Sequence, residues 1–175
     1  ARIFPMLPER LSTDLTSLNP GEPRLAMVTT IHIEPNGDVR SSRLCRARVL
    51  NHAKLAYDAV AAWLEGQGPL PEAAARVSGM DQQLRLQDQV AQTLRHARHA
   101  QGSLALETFQ PRAVFDAGQL VGIEQQVQNR ARQLIEELMI ATNTCTARFL
   151  ARHSGRSLRR VVRSPERWMR IVVGS

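Results

Sequence analysis

The stretch RLAMVTTIHIEPNGDVRSSRLCRARVL, residues 24–50, decides the fold class of this chain. Its first part alternates between apolar and polar residues, and one predicted buried face carries Leu25, Met27, Ile31 and Ile33. Alternation of period two is typical of a strand with one buried face. The Asn36-Gly37 pair that follows is a strong hairpin signal, because both central positions of the favoured turn adopt positive φ. The stretch therefore predicts an antiparallel hairpin.

The return strand of this hairpin is predicted to reach about Leu50. Arg46 and Arg48 lie on one of its faces, opposite the apolar residues Cys45, Ala47 and Val49. Arginine binds phosphate oxygens through a planar guanidinium that donates two hydrogen bonds at once. The two arginines are therefore candidate contacts to a phosphate backbone.

Helical periodicity accounts for most of the remaining chain. Longer helices are predicted from a cap at Asn51 to about Glu65, over residues 80–101, and from about Asn129 to His153. The second helix carries a set of basic side chains that we interpret as a solvated face: Arg85, Arg95, His96, Arg98 and His99. The remaining predicted elements are short strands near 103–109, 112–116 and 119–125, and a last helix that begins at Ser164. These elements predict one α+β domain, an antiparallel sheet packed with several helices.

Basic charge dominates the composition. The chain has 23 basic and 16 acidic residues and a net charge of +7, and every basic residue except Lys54 is arginine. A basic surface attracts polyanions over long range, so nucleic acid is the leading class of partner, with a coding bias towards arginine as the alternative explanation. The densest cluster could track a phosphate backbone, form a solvated face or contact an acidic part of the same protein. Its members are Arg148, Arg152, Arg156, Arg159, Arg160, Arg163, Arg167 and Arg170.

Other features of the sequence restrict the compartment and the chemistry. A hydrophobic content of 43% is typical of a globular protein. No apolar run approaches the roughly 20 residues of a membrane span, so no membrane contact is predicted. Cys45 and Cys145 fit neither a disulfide framework nor a metal motif, which favours a reducing compartment such as the cytoplasm. The sequence has no phosphate-binding glycine loop, no zinc spacing and no aspartate cluster suited to Mg²⁺.

Tyr57 is the one tyrosine of the chain and lies three residues after Lys54. An amphipathic ring of this kind can stack on a base and offer its hydroxyl for hydrogen bonding. The alternative is a half-buried tyrosine that packs at the edge of a helix. Spacing alone leaves both interpretations open.

Two adjacent carboxylates lie in the middle of the helix that is predicted to end at His153. Glu137 is predicted to face solvent and to pair with a cation one turn away. Glu136 lies beside the apolar stripe, where a carboxylate needs a partner such as a ribose diol or an arginine. A plain surface acid is the alternative for Glu136. The apolar stripe is predicted to consist of Leu134, Ile135, Leu138, Met139, Thr142, Cys145, Phe149 and Leu150.

Three strings together resemble the catalytic RNB domain of the ribonuclease II and ribonuclease R exoribonucleases. They are MLPERLS (residues 6–12) with LTSLNP and RLAMV after it, HAKLAYD (residues 52–58) with WLE after it, and LIEELMIA (residues 134–141) with Asn143 and Ala147-Arg148 after it. The strongest match covers residues 3–153, and residues 154–175 are predicted to be a basic helical extension. The resemblance implies that residues 1–175 are the central part of an RNB catalytic domain, a piece of a longer protein.

This resemblance implies a magnesium-dependent hydrolase that degrades single-stranded RNA processively from the 3′ end to nucleoside monophosphates. In the family, four clustered aspartates hold the Mg²⁺, and they would precede Ala1. A late arginine that supports the leaving phosphate would follow Ser175. This chain alone is therefore expected to be inactive. Its implied partners are single-stranded RNA, the remaining parts of the RNB domain and OB-type RNA-binding domains.

Two positions carry over directly from the resemblance, and a third departs from the family's pattern. Tyr57 matches the active-site tyrosine that contacts the terminal nucleotide at the scissile phosphate, and Glu136 matches the glutamate that hydrogen-bonds the ribose of the 3′ nucleotide. In the best alignment Leu106 stands where the family usually has a phenylalanine that stacks on the last base, which implies weaker holding of short products. Phe109 is nearby, but a shift of three positions would be needed to align it. Two alternatives remain, a catalytically inactive RNB-like RNA-binding module and a structural fragment that is stable only against the rest of its domain.

Overall fold

A computed structural model of the chain describes residues 4–103, 111–116, 118–125 and 128–153, together with Leu158. One turn of π-helix comes first (Leu11–Leu15), and the remaining elements are β1 (Pro23–Ile33), β2 (Val39–Leu50), α1 (Tyr57–Leu64), α2 (Glu72–Ala75), α3 (Met80–Ala100), β3 (Pro111–Asp116), β4 (Gln119–Gln125) and α4 (Arg130–His153). The predicted α+β class is confirmed. Antiparallel pairing occurs in two separate hairpins, β1–β2 and β3–β4.

The β1–β2 hairpin forms as the turn residues predict. Its register runs from the Pro23 and Leu50 pair to the Ile33 and Val39 pair at the turn. Gly37 has a φ of +89°, a conformation that side chains with a Cβ rarely adopt. The Asn36 side-chain oxygen accepts a hydrogen bond from the Asp38 N–H at 3.0 Å, which closes the turn locally.

The predicted buried face of β1 is wrong in its first half. Leu25 is 88% exposed and Met27 is 63% exposed, whereas Ala26 between them is half-buried. Beyond two consecutive half-buried residues the alternation changes phase, so that Ile31 and Ile33 are half-buried as predicted. Period-two alternation identifies the two faces of a strand, but it does not identify which face the rest of the chain covers.

The turn of the first hairpin packs directly on α3. Gly37 is buried there, and a Cβ added to it would lie 2.8 Å from the Cβ of Ala97 and 3.0 Å from the backbone oxygen of Thr93. Contacts below 3.0 Å are too short for carbon atoms, so only glycine fits between the turn and the helix. The hairpin is therefore fixed against α3 by its tip.

The predicted cap at Asn51 is wrong, because α1 begins at Tyr57. The Asn51 side-chain amide donates to the Leu18 carbonyl at 2.8 Å, and its oxygen accepts the Ala53 N–H at 3.1 Å. These bonds tie the end of β2 to the segment before β1, and the backbone stays non-helical up to Ala56. The asparagine therefore forms a local turn instead of capping a helix.

Helices α3 and α4 confirm the two long predicted helices and join α1 in one core. The buried cluster at their junction consists of Val60, Ala61, Ala74, Leu84 and Ala131. Leu134 on α4 is buried as well. Two members of the predicted stripe on α4 are largely exposed, Ile135 at 46% and Met139 at 55%. The buried face of α4 is rotated to Ala131, Leu134, Glu137, Ala141 and Cys145.

The β3–β4 hairpin lies between α3 and α4 in the chain, as predicted. Its register joins Pro111 to Gln125 and Asp116 to Gln119, with an irregularity after Val114. The strand predicted near 103–109 and the helix predicted at Ser164 lie outside the described residues. Among the residues that are described, no helix has the length and apolarity needed to span a membrane.

Candidate functional site

Tyr57 is the first residue of α1, and its side chain is 45% exposed. The preceding residue, Ala56, has an extended backbone, so the chain changes direction at the point where the ring projects. The guanidinium carbon of Arg132 on α4 lies 5.1 Å from the centre of the Tyr57 ring. This distance is within the range of a cation–π contact. The ring is therefore accessible, and it lies next to α4.

Polar contacts around Asp58 join the beginning of α1 to the beginning of α4. The Asn129 amide donates to Asp58 Oδ1 at 2.8 Å, and Arg132 Nη2 lies 3.6 Å from the same oxygen. The Asn129 side-chain oxygen accepts the Arg132 N–H at 3.0 Å, as a helix cap does. The cap of α4 and the carboxylate of α1 thus fix Arg132 beside the tyrosine.

Glu136 lies one helical turn after Arg132 on α4. Residues four apart in a helix are neighbours on one face, so Glu136 lies on the side of α4 that faces Tyr57. Its side chain is half-buried, and its Oε2 accepts a hydrogen bond from the Gln128 amide at 2.8 Å. The structure therefore brings the two principal predicted site residues, Tyr57 and Glu136, to one side of the α1–α4 junction.

The prediction that Glu137 faces solvent is wrong. Its side chain is 4% exposed, and Arg98 on α3 binds both of its oxygens, Nη2 to Oε1 at 2.5 Å and Nε to Oε2 at 3.2 Å. The hydrogen bond with Glu137 raises the pKa of Arg98 above its ordinary value, against the opposing effect of burial. Glu137 is therefore a structural carboxylate with a fixed cation.

Two further contacts continue this connection between α3 and α4. Arg130 Nε contacts both oxygens of the buried Asp88 at 2.9 Å, and this hydrogen bond raises the pKa of Arg130. Arg95 donates to the Gln133 side-chain oxygen at 2.8 Å. The interpretation of the basic set on α3 as a solvated face is therefore wrong for Arg95 and Arg98.

These contacts set the rotation of α4. Positions 130, 133 and 137 form the face that binds α3, and the neighbouring face carries positions 129, 132 and 136. Because the first face is held by α3, the second is directed towards α1. The geometry explains why only the first of the two adjacent glutamates shares the face of α4 that carries Arg132, the residue beside Tyr57.

The other predicted site residues lie apart from this pair. Arg46 and Arg48 are exposed on β2, opposite Met27 and Leu25 of β1. Arg148 is exposed and lines a shallow cavity of about 200 Å³ between the first hairpin turn and the helices α3 and α4. It follows Glu136 by twelve residues, which is about 18 Å along the helix axis. Leu106 lies outside the described residues.

Sequence reasoning missed three residues of the site. Asn129 carries a signal, because asparagine is favoured at a helix cap, and the predicted start of α4 already falls there. Asp58 and Arg132 carry none, because their contacts join positions more than seventy residues apart in sequence.

Within the described ranges no group of three or more histidine, cysteine, aspartate or glutamate side chains could hold a metal ion.

The fold of the described elements is similar to part of a solved ribonuclease structure. The chain is similar to the structure of RNase R from Mycoplasma genitalium in complex with ribose-methylated single-stranded RNA, with a TM-score of 0.73 and 26% identity over 85% of this chain and 22% of that one. The RNB domain model matches residues 1–172. The chain therefore belongs to the RNB domain family.

Curated relatives agree with this assignment. Ribonuclease R from Vibrio parahaemolyticus is 34% identical over 166 residues, which are 94% of this chain and 20% of that protein. Exoribonuclease 2 from Haemophilus ducreyi is 37% identical over 155 residues, which are 86% of this chain and 23% of that protein. The chain thus spans less than a quarter of the length of these relatives, and the resemblance seen in its three strings is confirmed.

Proposed function

We propose that this chain is part of a 3′→5′ exoribonuclease that hydrolyses single-stranded RNA processively to nucleoside monophosphates. Membership of the RNB family supports the proposal, as do the relatives named Ribonuclease R and Exoribonuclease 2. A related structure contains single-stranded RNA and another contains double-stranded RNA, which supports RNA as the substrate.

The observation that carries the proposal is the placement of Tyr57 and Glu136 on one side of the α1–α4 junction. The exposed ring offers a surface for the terminal nucleotide and a hydroxyl for its phosphate. Glu136 accepts hydrogen bonds from the ribose hydroxyls. A carboxylate accepts up to about four hydrogen bonds, so Glu136 can do this while it keeps its bond to Gln128.

Phosphates further along the strand are assigned to basic residues. Arg46 and Arg48 are exposed on the same face of β2, two residues apart, and Arg148 is exposed on α4. Such side chains supply affinity without reading the base sequence. Leu106 takes the position of the base clamp, where a leucine gives a smaller contact than an aromatic ring and holds short products less firmly.

Magnesium enters the proposal as the family's metal, and the described residues do not form a site for it. We assign its ligands to aspartates elsewhere in the intact protein, together with the arginine that supports the leaving phosphate. The present chain would by itself be inactive, and its immediate partners would be the other parts of the RNB domain and OB-type RNA-binding domains. We place the protein in the cytoplasm.

The test uses the intact protein, Mg²⁺ and single-stranded RNA labelled at the 5′ end. The proposal predicts progressive shortening of the labelled strand from its 3′ end, release of nucleoside monophosphates, and loss of activity when the metal is chelated. Binding of the same RNA with no shortening would contradict the proposal. That result would favour the alternative function, a catalytically inactive RNB-like RNA-binding module.

A further inference from the structure

The face of the Tyr57 ring towards α4 is covered by Arg132, which no motif of the sequence singles out. We propose that Arg132 is a positioning residue, which orients the Tyr57 ring for the 3′ end of the RNA. The inference rests on the proposed function, because it assigns a role within the same site. It concerns a residue that acts through Tyr57 and does not require any contact between Arg132 and RNA.

The contact geometry supports this role. The guanidinium carbon lies 5.1 Å from the ring centre, and the cation is attracted by the negative face of the ring. The Arg132 side chain is 26% exposed, so the contact is partly shielded from water, which strengthens it. Tyr57 is 45% exposed at the beginning of α1.

Arg132 is itself held from two directions. Its Nη2 lies 3.6 Å from Asp58 Oδ1, on the residue after the tyrosine, and its backbone N–H donates to Asn129 at the cap of α4. The carboxylate restrains the guanidinium, and the cap fixes the backbone that carries it. The cation in turn keeps the ring in one orientation. One face of the ring is then occupied, and the exposed part of the side chain is available to the nucleotide.

The consequence for catalysis is preorganisation. A ring that is already oriented does not lose rotamer freedom when the RNA end binds, and small errors in placement are costly at a reacting centre. Arginine suits the role better than lysine, because its planar guanidinium stacks on an aromatic face and contacts a carboxylate at the same time.

The experiment is a double-mutant cycle in the intact protein, with kcat/KM measured on single-stranded RNA. Arg132→Ala should lower kcat/KM by about fivefold, the loss expected for one partly shielded cation–π contact. In a Tyr57→Ala background the same change should have no further effect, because the ring through which Arg132 acts is gone. Arg132→Lys should give an intermediate loss, and it replaces Arg132→Ala in the cycle if the alanine variant does not fold.

The outcomes separate this inference from the proposed function. Suppose that Tyr57→Ala lowers kcat/KM, and that Arg132→Ala lowers it by one and the same factor in the wild type and in the Tyr57→Ala variant. Arg132 then acts independently of Tyr57, and the inference is overturned. An unchanged kcat/KM in Arg132→Ala overturns it as well. If Tyr57→Ala has no effect on RNA decay, the assigned role of Tyr57 itself fails. Thermal unfolding of every variant distinguishes a loss of stability from a loss of ring orientation.

Discussion

At the residue scale, two adjacent glutamates have opposite environments. Glu137 is buried and bound by Arg98, whereas Glu136 is half-buried and lies on the side of Tyr57. In the sequence both lie side by side in the middle of one predicted helix, and nothing indicates which of the two has an arginine partner. The pairing comes from α3, and it gives Glu137 a structural role. Glu136 is left as the residue to which we assign the ribose contact.

Neutral substitutions of the two glutamates should therefore have different effects. Glu137→Gln removes the charge that Arg98 needs in a largely buried site, and we expect the free energy of unfolding to fall by about 2 kcal/mol. Glu136→Gln should leave the unfolding free energy within about 0.5 kcal/mol of wild type, because a half-buried surface position tolerates this change. Denaturant unfolding of the two variants measures both values. Equal destabilisation by both would contradict the assignment.

Activity provides the complementary comparison. Glu136→Gln in the intact protein should raise KM for single-stranded RNA several-fold, because a neutral amide accepts weaker hydrogen bonds from ribose hydroxyls than a carboxylate does. Glu137→Gln, assayed well below its unfolding temperature, serves as the matched control and should change KM less. A larger rise in KM for the Glu137 variant would show that the ribose contact is assigned to the wrong residue.

At the element scale, the hairpin tip and its helix fit together through one glycine. Gly37→Ala adds a Cβ within 2.8 Å of Ala97 and also forces a positive φ on alanine. We expect the free energy of unfolding to fall by about 2–4 kcal/mol, from backbone strain together with overpacking. Gly66→Ala is the matched control, because its φ is +74° but no atom lies within 4 Å of the added Cβ. It should cost only about 1 kcal/mol. Similar losses in the two variants would show that the hairpin tip does not pack on α3.

Elements were predicted well where the signal is local. The Asn36-Gly37 turn and the long helices α3 and α4 follow from turn chemistry and helical period, which act over a few residues. The exposed Leu25 and the buried Glu137 were not predicted, because burial depends on segments that are distant in sequence. The Arg98 and Glu137 pair, for example, joins residues 39 positions apart. The cap predicted at Asn51 does not form, because the Asn51 side chain donates its hydrogen bond to the carbonyl of Leu18, which also lies far away in sequence.

For the site, Tyr57 and Glu136 could be identified from the sequence, but the residues that hold them in place could not. Tyr57 and Glu136 came from the resemblance of short strings, and the structure adds that both lie at one junction. Arg132 could not be identified in advance, because its contacts cross from α4 to α1. A pattern within one helix carries no information about the helix that packs against it.

At the scale of the whole molecule, the proposed binding of RNA depends on charge. The net charge of +7 arises almost entirely from arginines. Each phosphate contact on single-stranded RNA contributes about 0.7 to the slope of log affinity against log salt. Arg46→Ala combined with Arg48→Ala should therefore reduce the magnitude of that slope by about 1.4 in the intact protein.

A control for this salt dependence is available at the end of α2. The Arg76 side chain follows the last residue of α2, is 74% exposed and pairs with Glu72, away from the candidate site. Arg76→Ala removes one positive charge, half of what the β2 double variant removes, and should leave the slope nearly unchanged. If Arg76→Ala and the β2 double variant shift the slope by similar amounts per charge, the arginines of β2 make no specific phosphate contacts.

The central claim is that Tyr57 holds the 3′ end of single-stranded RNA in an exoribonuclease. The most direct test compares the intact protein with its Tyr57→Ala variant in the decay of labelled single-stranded RNA with Mg²⁺. Loss of one stacking ring costs about 1–3 kcal/mol of nucleotide binding, so we predict slower decay and a change in the length of the final product. An unchanged decay rate together with unchanged end products would contradict the claim.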